Sequence, residues 1–136
     1  MPESSLAAVF TGTETPLETR SYPLPELKAG EVLIRVTCCT ICGSDLHTYE
    51  GRRTTPLPTI LGHEILGEVV GLPVIPPCDV SGQTLAIGDR VTWSIAASCG
   101  ECFFCTHGLP AKCNQLFKYG HEAINEQHPL SGGLAQ

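Results

Sequence analysis

Cys99, Cys102, Cys105 and Cys113 stand in the run C-x2-C-x2-C-x7-C, and no other feature of the chain constrains its folding so tightly. Four thiolates so close in sequence can enclose one tetrahedral metal ion, and a borderline-soft d10 ion such as Zn2+ accepts an all-sulfur tetrahedron. Unligated cysteines have no reason to adopt repeated C-x2-C spacing. An iron–sulfur cluster is the rival occupant. Bacterial ferredoxins share C-x2-C-x2-C, but there the next cysteine follows after three residues and precedes Pro, whereas Cys113 follows after seven and precedes Asn114. A zinc ion with all four corners filled by protein has no position left for a substrate. The run is therefore expected to clamp a lobe at about 94–116 and to hold structure without doing chemistry.

A second constellation lies upstream. Cys42 heads Cys42-Gly43-Ser44-Asp45-Leu46-His47, and His63 lies 21 residues after Cys42 in Gly62-His63-Glu64. Only tertiary structure could bring the two together, and for an arbitrary pair a buried thiol and a satisfied core histidine would be the plain reading. The flanking residues favour more. Mixed Cys, His and carboxylate ligation suits a catalytic zinc, and Asp45 is fitted to accept the remaining N–H of a ligating His63 imidazole. Ser44 is expected to cap a short helix, with Asp45 in its first turn and Gly51 closing it.

At 136 residues the chain is one domain of ordinary size, large enough to bury a core. Its net charge is −6, and the 8 Lys and Arg are scattered. No basic footprint exists for nucleic acid or for an anionic membrane surface, so neither is expected as a partner. Met1-Pro-Glu-Ser-Ser carries no positive n-region or long apolar stretch, so no secretory signal and no transmembrane segment are expected. Eight cysteines then belong in a reducing cytosol, where C-x2-C spacing reads as metal ligation and not as disulfides.

Eleven Pro and fourteen Gly, with few helical periodicities, describe short strands joined by turns, a mainly β chain. Strands are expected at 6–11, 31–37 and 90–93, the second with Val32, Ile34 and Val36 on one face. The apolar run at 60–70 is interrupted by Gly62-His63-Glu64 and Gly67, and Pro73, Pro76 and Pro77 make 72–83 a loop. No G-x-G-x-x-G follows a strand, so these residues cannot bind a dinucleotide by themselves. Cys38 and Cys39 read as small core fillers and Cys78 as an incidental thiol. His107, His121 and His128 read as solvated, and Trp93, Phe103 and Phe104 as packing.

Cys42-Gly-Ser-Asp-Leu-His47, Gly62-His63-Glu64-x2-Gly67, Gly88-Asp89-Arg90-Val91 and the four-cysteine lobe, in this order, resemble the zinc-dependent medium-chain alcohol dehydrogenase family. The likeness runs from about residue 6 to 136. It implies a GroES-like, partly open β-barrel with short helices and a zinc-clamped lobe. Residues 1–136 would be the catalytic domain, with the Rossmann domain missing from this chain and the fragment alone inactive. It implies that Cys42 and His63 ligate catalytic zinc, that Glu64 is a switchable ligand or an acid just behind the ligands, and that a further ligand lies beyond residue 136. Ser44 would hydrogen-bond the substrate hydroxyl and His47 would pass its proton to solvent. The implied cofactors are one structural and one catalytic Zn2+ with NAD or NADP, and the reaction is hydride transfer from a small alcohol or polyol to give an aldehyde or ketone. The full-length enzyme would be a homo-oligomer, with the lobe serving a subunit contact. The stretch between Gly67 and Gly88 looks longer than the family's usual length, a faint pointer to a specialised pathway such as phosphonate breakdown. A non-catalytic zinc module is the reading from another class.

Overall fold

The computed structural model describes residues 3–136; Met1 and Pro2, on which the reading of the N-terminus partly rests, lie outside the described residues. In chain order the elements are β1 (Ser4–Phe10), β2 (Glu18–Pro23), β3 (Leu33–Thr40), α1 (Gly43–Tyr49), β4 (Thr59–Ile60), β5 (Glu64–Gly71), β6 (Arg90–Thr92), β7 (Ala96–Ala97), α2 (Phe103–Thr106) and β8 (Phe117–Lys118). The expectation of a mainly β chain holds. Strands form three small antiparallel sheets, ordered β2-β1-β4, β3-β5-β6 and β7-β8, and these do not close into one barrel. None of the described helices is long and apolar enough to cross a membrane.

β1 begins two residues before the expected start, and its alternation sends Ser5, Ala7 and Val9 inward. Ala7, Val9 and Ile60 form the centre of the core, with Tyr22, Ile124, Leu130, Leu134 and Ala135 packed on it. Residues 131–136 are built into this core. Leu134 donates to Leu61 O (3.0 Å) and accepts from Ala8 N (2.8 Å), and Gln136 N donates to Leu6 O (2.9 Å). The close passage needs glycine, since a Cβ on Gly132 would lie 1.9 Å from the Ile60 carbonyl oxygen.

The pairing of β3 with β5 carries a register shift between Val36 and Cys38, so Val36 faces Gly67 while Cys38 faces Leu66. Thr37 is the extra residue, and the bulge reverses the inward face of the strand. Cys39 is therefore half-buried and Cys38 exposed, which corrects the expectation that both fill the core. The strand expected at 31–37 runs instead over Leu33–Thr40, carrying the bulge to the threshold of α1. Residues 72–83 form no strand, as their prolines require. The loop is internally ordered, with Asp79 accepting from Ser81 N, Ser81 Oγ and Gln83 N.

Candidate functional site: two metal-ligating constellations

β3 ends at Thr40, and α1 begins at Gly43 with Cys42 as its N-cap, in extended conformation. Ser44 thus lies inside the first turn and does not cap the helix. The capping role falls to Asp45, three residues on, whose Oδ2 accepts the Cys42 N–H at 3.1 Å. Its Oδ1 accepts the Gly62 N–H at 3.2 Å and stands 3.6 Å from His63 Nδ1. One buried carboxylate therefore fixes both segments that carry the candidate ligands. The side chains of His63 and Asp45 are only 8% and 5% exposed.

The geometry brings together what the sequence separates. Cys42 Sγ lies 3.2 Å from His63 Nε2, and the Ser44 hydroxyl lies 2.9 Å from that sulfur and 3.4 Å from that nitrogen. Donor atoms of Cys42, His63 and Glu64 all fall within 4.8 Å of one another. A tetrahedral zinc with ordinary Zn–S and Zn–N bonds would set its sulfur and nitrogen ligands about 3.6 Å apart, so the pair is close to ligand spacing. Nδ1 of His63 is buried without a hydrogen-bond partner, and Asp45 is the carboxylate that faces it. A metal held at Nε2 fits this ring, because ligating imidazoles direct their other N–H to such an acceptor. Glu64, at the exposed start of β5, accepts a hydrogen bond from the Thr40 hydroxyl.

His47 stands exposed on α1, three residues after Ser44 and on the same side of the helix. Its carbonyl takes the N–H groups of Arg52 and Arg53 at 2.8 and 3.1 Å. His63, Glu64, Thr40, Leu66, Trp93 and Ile95 line a cleft of about 510 Å³ beside the candidate ligands. Trp93 does pack, edge-on to Tyr119 at 5.8 Å, and it also walls this cleft.

The four cysteines converge as their spacing predicts. Their sulfurs lie within 4.8 Å of one another, with Cys102–Cys105 and Cys99–Cys113 at 3.5 Å and Cys99–Cys105 at 4.0 Å. A ZnS4 tetrahedron has edges of about 3.8 Å, so these donors fit zinc without rearrangement. Backbone N–H groups point at the sulfurs, Cys99 N to Cys113 Sγ at 3.3 Å, Cys102 N to Cys99 Sγ at 3.4 Å and Gln115 N to Cys113 Sγ at 3.3 Å. Hydrogen bonds from the Asn114 and Cys105 backbone bring the Cys102 thiol down to about 6, while burial and the Cys102 side chain push Cys105 up to about 11. Phe103, expected to pack, is 65% exposed; it meets its neighbour Phe104 edge-on and stacks on His107.

His121 is the residue that the sequence reading misplaced. It is half-buried, its ring centroid lies 5.0 Å from that of His63, and its Nδ1 is buried without a partner. Burial, then the nearby Arg53 and His63, push its pKa below the ordinary histidine range. Its polar flanks conceal this, because Gly120 N donates to Ser131 O and so draws the turn against the C-terminal segment. His128 is likewise half-buried, packed on Phe117, and only His107 is exposed as expected.

Residues 28–136 match the alcohol dehydrogenase GroES-like domain, and the chain belongs to that family, the zinc-dependent medium-chain alcohol dehydrogenases. Zinc-type alcohol dehydrogenase B of Aspergillus flavus is 32% identical over 125 residues, which is 90% of this chain and 28% of that protein. Among solved structures, an alcohol dehydrogenase from Thermotoga maritima matches with a TM-score of 0.83 and 30% identity, over 97% of this chain and 37% of its own. A zinc-binding dehydrogenase from Sinorhizobium meliloti bound to NADP matches with a TM-score of 0.69 and 28% identity, over 98% and 35%. The chain therefore spans 28% to 37% of the length of these relatives. The expected GroES-like architecture is the one observed.

Proposed function

We propose that this chain is the catalytic domain of a zinc- and NAD(P)-dependent dehydrogenase that oxidises a small alcohol or polyol. The observation that carries the reading is the Cys42 Sγ to His63 Nε2 approach of 3.2 Å, with the Ser44 hydroxyl in reach of both and a Glu64 oxygen nearby. Cys42, His63 and Glu64 would hold the catalytic zinc. Cys99, Cys102, Cys105 and Cys113 would hold the structural one, clamping the lobe at about 94–116. Bound there, zinc supplies a Lewis acid for the substrate hydroxyl, and a nicotinamide carried by a partner domain supplies the hydride acceptor.

The residues of this chain then divide the work. Asp45 orients His63 through Nδ1 and fixes the Cys42 backbone, so both donors are in place before substrate arrives. Ser44, within reach of the Cys42 sulfur and the His63 nitrogen, would accept a hydrogen bond from the substrate hydroxyl and, on taking that proton, release its own. His47, three residues further along the same helix and exposed, would carry the released proton to solvent. The Trp93 and Ile95 side of the cleft would offer the reacting carbon an apolar wall.

Metal counting tests the reading. Two zinc ions per chain, falling to one in Cys42→Ser, is the expected result. One zinc unaffected by Cys42→Ser would turn the reading towards a non-catalytic zinc module.

A further inference from the structure

The β3–β5 register sets Thr40 directly opposite Glu64, and directly opposite side chains share one face of an antiparallel pair. The bulge is the cause. Continued without a shift from Val36 opposite Gly67, the ladder would bring Cys39 opposite Glu64; the extra residue at Thr37 advances Thr40 into that place. There the Thr40 hydroxyl donates to Glu64 Oε2, and both side chains line the cleft beside His63.

Glu64 is exposed, and a free glutamate at such a position would spread over many rotamers. The Thr40 bond selects those that keep the carboxylate over the strand pair, where one of its oxygens comes within 4.8 Å of the Cys42 and His63 donors. An ionised carboxylate accepts through both oxygens. With Oε2 engaged by the hydroxyl, Oε1 has no donor among the described residues and remains free to ligate.

We propose that Thr40 is a positioning residue that holds Glu64 through Oε2 so that Oε1 stands as the third protein donor beside Cys42 and His63. This rests on the reading of those residues as a metal site. Thr40 is not itself among the candidate donors. Its hydroxyl decides whether Glu64 is counted among the ligands or swings away into the cleft.

Cobalt(II) in place of zinc tests this directly, because Cys42 gives a thiolate charge-transfer band and the ligand-field intensity reports the number of donors. The four-cysteine cluster also binds cobalt, so the mixed site is read as the difference from Cys42→Ser. Thr40→Val is expected to move the ligand-field spectrum to that of Glu64→Ala and to speed the Cys42-dependent phase of zinc release to a chelator about tenfold. Thr40→Ser should restore the wild-type spectrum, and Thr40→Val should add nothing in a Glu64→Ala background. A wild-type spectrum and release rate in Thr40→Val would overturn the assignment, as would Thr40→Ser behaving like Thr40→Val. A wild-type protein with no Cys42-dependent cobalt band would instead remove the metal site itself, a distinct outcome that takes this inference with it.

Discussion

Asp45 Oδ1 lies 3.6 Å from His63 Nδ1, and the same carboxylate accepts the backbone N–H of both Cys42 and Gly62. The two candidate ligands are 21 residues apart in sequence, yet they are registered by one buried side chain. That arrangement couples helix capping to ligand placement, so a change at Asp45 should register in two independent measurements.

Asp45→Asn keeps the shape but replaces an acceptor oxygen by an amide NH2 that faces donors. Leaving one backbone N–H without its charged acceptor should cost about 2 kcal/mol in urea unfolding. Metal affinity of the mixed site should fall by about tenfold or more in chelator competition. Lost stability with unchanged affinity would reduce Asp45 to a helix cap.

The lobe should respond differently from the mixed site. Cys113 is buried, and its sulfur accepts from Cys99 N and Gln115 N. Cys113→Ser, or chelation of the cluster, should lower stability by about 3 kcal/mol or more, because a tightly bound ion stabilises by mass action. Limited proteolysis should then cut at 94–116, while Cys42→Ser, which leaves the four-cysteine cluster filled, should lower stability less and keep 94–116 protected. Equal losses in both variants would contradict the division between structure and chemistry.

Gly132 should be nearly irreplaceable. An alanine Cβ there would meet the Ile60 carbonyl oxygen at 1.9 Å, whereas at Gly82 it would meet nothing within 4 Å. Gly132→Ala should cost about 3 kcal/mol or more by overpacking. Gly82, at φ +85°, should lose only about 1 kcal/mol on the same change, through backbone strain. Thermal melts of the two variants compare them directly.

Stability at alkaline pH should bear the mark of Tyr119. Burial, and then the Glu31 carboxylate, raise its phenol above the ordinary value of 10.0. The unfolded chain then loses the proton first, so this contribution is fully present below pH 10 and declines as pH rises through the folded-state value. Tyr119→Phe should flatten that decline in urea titrations run from pH 8 to 11. An unaltered slope would place the phenol in solvent.

Both cysteine constellations are legible in the sequence because ligand spacing is a short-range property: C-x2-C runs and the turn after Cys42 carry their chemistry locally. What stays hidden is non-local. No strand is expected at β2 from the sequence, because it is an edge strand paired with β1 that exposes every residue but Tyr22 and so shows no apolar alternation. Ser44 has the side chain of an N-cap, but the N-cap is Cys42, two residues earlier, and Asp45 closes that end of the helix by accepting the Cys42 N–H. The bulge at Thr37 leaves no signal in the alternation of Val32, Ile34 and Val36, so the exposure of Cys38 and the pairing of Thr40 with Glu64 both follow from a backbone insertion that side-chain patterns do not encode. His121 reaches His63 only because the chain folds back at Gly120.

The seating of residues 131–136 against β1 also shapes the path to the folded state. Ser5 Oγ donates to Gln136 O at 2.7 Å across 131 residues, and Ala7 bridges Ala135. Contacts of such sequence separation carry the full entropy of closing the loop before they return any stability, so they form slowly. During synthesis β1 emerges before residues 131–136, and half of one of its edges must wait for them. That edge stays open to other chains throughout the wait, and chaperone binding and aggregation of nascent chains should concentrate there.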